Sequence, residues 1–158
     1  MPFDRLISSV FTGRVYLERF KPLVVQAGST ACPEALGWVT VFDYCGRQEI
    51  KSLLSEARFC ITHGGVGSII GALEAGCKVA VMPRLKAYRE HNDDHQVEIA
   101  ELFEDAGLVV YWRESMGVHE VLERLEAFEP NLYRSEFESL RNSIAEDIER
   151  FCGRKLFV

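Results

Sequence analysis

No apolar run in this chain approaches the roughly 20 residues that span a bilayer as a helix, so the sequence predicts no membrane-crossing segment. Its first residues also lack the basic start, apolar stretch and small-residue cleavage site of a signal peptide. Basic charge is in deficit, with 18 Lys and Arg against 24 Asp and Glu, a formal net charge of −6. A phosphate lattice or an anionic lipid surface needs a basic face, which argues against nucleic acid and against direct electrostatic docking on membranes. Cysteine motifs are missing as well. Cys32, Cys45, Cys60, Cys77 and Cys152 are odd in number and include no C-x-x-C. They read as reduced thiols of a cytoplasmic protein rather than a disulfide framework. No zinc or nucleophile pattern surrounds any of them, and no internal repeat or low-complexity linker interrupts the chain.

What is present is ordinary globular material. Apolar residues make up 47% and charged residues 27% of 158 positions, enough for one domain with a real core. Five short apolar runs read as strands: 23–26, 38–44, 57–63, 78–83 and 108–112. Strands apolar on both faces belong to a parallel sheet covered by helices. Helical patterns fill the gaps at 47–56, 68–75 and 94–106, with Gly76 a stop after the second. The alternation predicts an α/β, doubly wound parallel sheet occupying residues 1–158 as a single domain. After Pro130, Ser135 and Glu138 form a capping box. Phe137, Leu140, Ile144, Ile148 and Phe151 follow at helical spacing, predicting an amphipathic helix within 131–153. That helix closes over the sheet or docks another subunit.

Two stretches carry chemistry. "H-G-G-V-G-S", His63 to Ser68, joins a strand to a helix. Helix N-termini present unpaired N–H groups and partial positive charge, and a loop without side chains lets a diphosphate approach them. Gly64, Gly65, Val66 and Gly67 would supply backbone donors, Ser68 a hydroxyl and His63 a ring N–H. It is not a P-loop, lacking G-x-x-x-x-G-K-[ST], and Ile70 replaces the last glycine of the dinucleotide fingerprint. The other reading, a turn made small only for packing, stays equally open on local sequence.

The second stretch, "E-H-N-D-D-H-Q", Glu90 to Gln96, crowds polar groups at a helix start. His91 and His95 at i, i+4 make half a metal site, but no third ligand is evident, and no metal is expected. Asp93 or Asp94 suits an N-cap. A carboxylate–amide pair brackets sugar hydroxyls, and both stretches lie at the carboxyl ends of strands, where such sheets bind ligands. A diphosphate at one loop and hydroxyls at the other describe a nucleotide sugar.

"H-G-G-V-G-S", "E-A-G-C-K-V-A-V-M-P" and "E-H-N-D-D-H-Q-V-E-I-A" together resemble the C-terminal, sugar-nucleotide-binding half of GT-B glycosyltransferases, of the family twenty-eight type. The chain is most similar to the small catalytic subunits of two-component enzymes of N-glycan and bacterial exopolysaccharide assembly. The opening "P-F-D-R-L" resembles them as well. The resemblance implies UDP-sugar as a substrate, with no cofactor, and inverting, metal-independent transfer to a lipid-linked saccharide held by a membrane-attached partner subunit. By it, Gly64 to Ser68 hold the diphosphate beside His63, while Asp94, His95 and Gln96 approach ribose and sugar, with Glu90, His91 and Asp93 in the same loop. The catalytic base is unassigned, His119 reads as a surface residue, and a homo-oligomer stays open. Two departures stand out. Gly71 occupies the position where the family has a ribose-binding Glu, with Glu74 one turn on as a replacement. The family's first strand, central in the sheet, has no counterpart before Pro2. Two rivals follow: a non-catalytic nucleotide-sugar-binding or enhancer subunit, and, weakest, a metal hydrolase using His91, Asp94 and His95.

Overall fold

The computed structural model describes residues 1–33 and 36–133. The chain opens with helices α1 (Asp4–Thr12) and α2 (Arg14–Leu17), then a 3-10 turn at Glu18–Phe20. Strands β1 (Leu23–Gln26) and β2 (Val39–Phe42) precede α3 (Arg47–Glu56). Two strand–helix–strand units follow: β3 (Phe59–His63), α4 (Val66–Glu74), β4 (Lys78–Met82), α5 (His95–Asp105) and β5 (Val109–Tyr111). Helix α6 (Val118–Ala127) ends the assigned elements. Every ladder is parallel: β1 with β2, β3 with β4, and β4 with β5.

The central strand shows why the apolar runs are continuous. In β4, Val79 and Val81 enter one core cluster, with Ile69 and Ala72 of α4 and Ala100 of α5. Ala80 and Met82, on the alternate face, enter another with Ile7, Val10 and Phe11 of α1 and Leu122 and Leu125 of α6. Helices thus cover both faces, and four of the five β4 side chains, Val79 to Met82, are buried. Such burial stabilises by about 1.5–3 kcal/mol per large apolar side chain. Helix α6 owes its place to Val118, Val121, Leu122 and Leu125, which share one face at i, i+3, i+4, i+7 and are all buried.

The strands lie in two sheets rather than the single one expected, β1–β2 and β3–β4–β5. No strand among the described residues links them through a ladder. Val25 of β1 and Val39 of β2 instead share the core of α1, β4 and α6, so side-chain burial joins the two sheets. The strands are shorter than the apolar runs at 38–44 and 57–63 suggest, because flanking Trp38, Tyr44 and Ala57 fall outside the ladders. Helix α4 begins two residues before Ser68, since Gly65 already provides an extended N-cap (φ −78°, ψ 120°). Gly76 does end it, at φ +83°, with the Cys77 N–H bonded to the Ala72 carbonyl. Asn131–Tyr133 are not helical, and the rest of the helix expected within 131–153 lies outside the described residues. Cys32, Cys45, Cys60 and Cys77 are free thiols, and burial pushes the Cys60 thiol up to about 12.

Candidate functional site

Because β3 and β4 are parallel and in register, His63 sits beside Met82 at their carboxyl ends. The glycine turn after β3 and the Pro83–Asp94 loop after β4 therefore emerge side by side. One side chain fastens them together. Gln96 Oε1 accepts from the backbone N–H of Gly64 and of Arg84, each at 3.1 Å.

The loop after β4 is wound by the polar cluster itself. Glu90 accepts from the Leu85 N–H at 3.0 Å, and Asp94 Oδ1 from the Lys86 N–H at 2.8 Å. With Gln96 on Arg84, three successive backbone donors are satisfied by three side chains of "E-H-N-D-D-H-Q". Glu90 is buried, with 4% exposure, and its carboxylate also receives Arg5 Nε (3.2 Å) and Nη2 (2.8 Å). The "P-F-D-R-L" opening is thus an anchor for this loop. Glu90 and Gln96, expected to meet a ligand, point their acceptors into the protein, whereas Asp94 remains exposed. Asp94 is the N-cap residue of α5 by position, but its side chain makes no cap bond. The Asp93 carboxylate receives the His95 N–H instead.

His91, Asp93 and His95 pair their side chains with one another rather than with the 84–86 backbone. Asp93 Oδ1 contacts both imidazoles, 3.0 Å from His91 Nδ1 and at closer range to His95 Nδ1. The two rings stand edge to face with centroids 4.7 Å apart. Hydrogen bonds from His95 hold the Asp93 carboxyl below the usual carboxylate range. Beside the two imidazoles the nearest carboxylate oxygen is therefore that of Asp93; Asp94, the choice in the hydrolase reading, accepts from the Lys86 N–H.

The three glycines of the turn have different reasons to be glycine. A Cβ on Gly64 would lie 2.7 Å from Gln96 Cβ and 2.8 Å from the Gln96 carbonyl oxygen. On Gly65 it would lie 2.5 Å from His63 Nε2. On Gly67 it would meet nothing within 4 Å. Packing explains the first two; it does not explain the third. The N–H groups of Gly65, Val66 and Gly67 donate to no described residue, while Ser68 and Ile69 already bond the Gly65 carbonyl. Val66, Gly67 and Ser68 are exposed.

Two cations missed by sequence reasoning complete the surroundings. Arg5 is one. Arg84 is the other: its guanidinium lies 5.3 Å from the Phe3 ring centroid, and its buried Nε has no described partner. Position alone, directly after a strand's carboxyl end, could have flagged Arg84. Burial first, then the charges of Arg84 and His91, lower the His63 pKa to about 4. His63 is therefore neutral at pH 7. Unfolded, it would titrate near 6.5, so its contribution to stability is complete above that pH and is lost as the pH falls towards 4. A proton NMR titration of the His63 ring should show a midpoint near 4; one near 6.5 would place the ring in solvent. Exposed His119 stacks on Tyr16 with centroids 5.4 Å apart, far along the chain in α6. Glu74 is exposed at the last position of α4, and a Cβ on Gly71 would meet nothing within 4 Å.

Parallel strands with helices on both faces, and a glycine turn and polar loop meeting at their carboxyl ends, define a Rossmann-like α/β protein. Residues 12–151 match the glycosyltransferase family 28 C-terminal domain, and the chain belongs to that family. Its fold is accordingly that of a GT-B C-terminal domain, and its function is of glycosyltransferase type. No curated protein matches the chain. No helix among the described residues is long and apolar enough to cross a membrane.

Proposed function

We infer that this chain binds a UDP-sugar donor and, with a membrane-attached partner that holds a lipid-linked saccharide, transfers the sugar with inversion. The observation that carries this reading is the trio of N–H groups at Gly65, Val66 and Gly67, which donate to no described residue and stand at the positive end of α4, with open space over Gly67. A diphosphate seated there accepts these donors. They favour the charge that grows on it as the glycosidic bond breaks, which makes a metal unnecessary to the leaving group. Arg84, one residue beyond Pro83 and held by Gln96, supplies a compensating cation. Asp94 and His95 offer exposed polar atoms to ribose and sugar hydroxyls. Glu90 and Gln96 serve the site by holding its loop. The base that deprotonates the acceptor belongs to the partner in this scheme, which acts at the cytoplasmic face of the membrane. A non-catalytic, nucleotide-sugar-binding enhancer is the second reading, favoured by Gly71, where the resemblance leads one to expect a ribose-binding Glu.

Calorimetric titration with UDP, UDP-N-acetylglucosamine and UDP-glucose, in EDTA, tests donor binding. Saturable one-to-one binding is expected, with the sugar moiety changing the affinity. Absence of binding both alone and with the partner present would overturn the reading. Binding without turnover in the complex would favour the enhancer.

A further inference from the structure

We propose that His91, Asp93 and His95 form a binding site for a divalent cation of the zinc type. The inference begins with what the rest of the loop is doing. Glu90, Asp94 and Gln96 each spend an acceptor on a backbone N–H of residues 84–86. His91, Asp93 and His95 bond none of those three donors; their backbone bonds stay within the cluster, Asp93 Oδ1 accepting the His95 N–H at 3.3 Å and His91 Nδ1 the Asp93 N–H at 3.5 Å. His91, Asp93 and His95 find their side-chain partners in one another, and their potential ligand atoms all lie within 4.8 Å of one another.

Residue type and spacing both suit a metal. Two imidazole nitrogens and one carboxylate oxygen are the donor set of open, three-ligand zinc sites, whose fourth position is left to water. With bonds near 2.0–2.1 Å, tetrahedral ligand atoms stand roughly 3.4 Å apart. His91 Nδ1 and Asp93 Oδ1 are already at 3.0 Å, and small rotations of two partly exposed rings bring the set to that separation. The side chains are 27%, 61% and 47% exposed for His91, Asp93 and His95, so a hydrated ion can enter from solvent. The imidazole–carboxylate set favours zinc over magnesium or calcium, which prefer oxygen alone. Bound there, the ion would brace the loop one residue before Gln96, the side chain that ties it to the glycine turn. The ion takes His95 through Nδ1, the atom that already faces Asp93, which leaves Nε2 for a donor hydroxyl and gives the ion no part in sugar transfer.

The test is direct metal binding by the full chain after treatment with a chelator and its removal. Zn²⁺ is titrated against a chromophoric competitor, and Co²⁺ serves as a spectroscopic probe. One equivalent should bind, and the Co²⁺ bands should report nitrogen and oxygen ligation without thiolate charge transfer. His91→Ala and His95→Ala should each weaken Zn²⁺ binding by at least the roughly 100-fold that loss of an outer-shell partner can cost. Asp93→Asn should weaken it less than Asp93→Ala. A substitution that unfolds the chain would be bypassed by following the histidine ring protons of the unaltered protein during Zn²⁺ addition, where His91 and His95 should shift together. Less than one equivalent bound, thiolate bands, or affinity unchanged by both histidine variants would overturn the proposal and leave the cluster an imidazole–carboxylate hydrogen-bonded group.

Discussion

Arg5→Ala should destabilise the chain by about 3–5 kcal/mol, the cost of stranding one member of a buried ion pair. Against a total of about 5–15 kcal/mol for a domain, this leaves the variant barely folded. The reason is Glu90, whose side chain is 5% exposed and whose carboxylate faces Arg5 Nη2 at 2.8 Å. Without Arg5, the Leu85 N–H would be its one remaining described donor. Arg5 Nη2 also donates to the Pro83 carbonyl at 2.6 Å, so the same guanidinium closes both ends of the 83–90 segment. Chemical unfolding of the wild type, Arg5→Ala, Glu90→Gln and the double variant measures the coupling. The double variant should recover part of the loss, because a buried amide needs no counter-ion. A loss under 1 kcal/mol in Arg5→Ala would mean that the pair behaves as a solvent-screened surface bridge.

That prediction could not have been made from the sequence. "P-F-D-R-L" is only an opening resemblance there, and 85 residues separate Arg5 from Glu90. The match to the family begins at residue 12, beyond Arg5. What was legible is what depends on local pattern. The run at 23–26 and the helical spacing at 47–56 coincide with β1 and α3 to the residue, because short apolar runs and period-3.6 faces are set by near neighbours. Gly76 was legible for the same reason: only a residue tolerant of positive φ ends a helix this way.

The polar cluster shows where pattern reading fails. Its composition suggested that Glu90, Asp93, Asp94 and Gln96 faced a ligand, with Asp93 or Asp94 also capping the helix. Folding gave Glu90, Asp94 and Gln96 to the backbone donors of Leu85, Lys86, Arg84 and Gly64. A loop of this length must satisfy its own N–H groups before it can offer anything outward, and sequence spacing does not reveal which side chains that consumes. The division into two sheets was equally hidden. A strand's own residues state how buried it is, not which neighbour completes its ladder.

Gly67→Val should cost at least about 100-fold in UDP affinity while leaving stability nearly untouched. Beyond its own helix, a Cβ at exposed Gly67 meets nothing within 4 Å, so a side chain there should extend into solvent. A diphosphate seated on α4 needs that same space to reach the Gly65, Val66 and Gly67 donors. Hydrogen bonds to a charged group are worth about 1.5–3 kcal/mol each, and losing roughly 3 kcal/mol is a factor of about 100 in Kd. Gly64→Ala makes the contrasting case. Its Cβ would press on Gln96 Cβ and the Gln96 carbonyl oxygen at 2.7 and 2.8 Å, forcing the start of α5 away and costing about 1–3 kcal/mol of stability. Binding should fall in that variant too, through the disturbed link from Gln96 to the turn. Thermal unfolding and calorimetry on both proteins distinguish a cradle from a packing turn. Affinity lost with stability kept in Gly67→Val places the anion on this turn. Wild-type UDP affinity in that variant would mean the nucleotide sits elsewhere, with the three free N–H groups left to water.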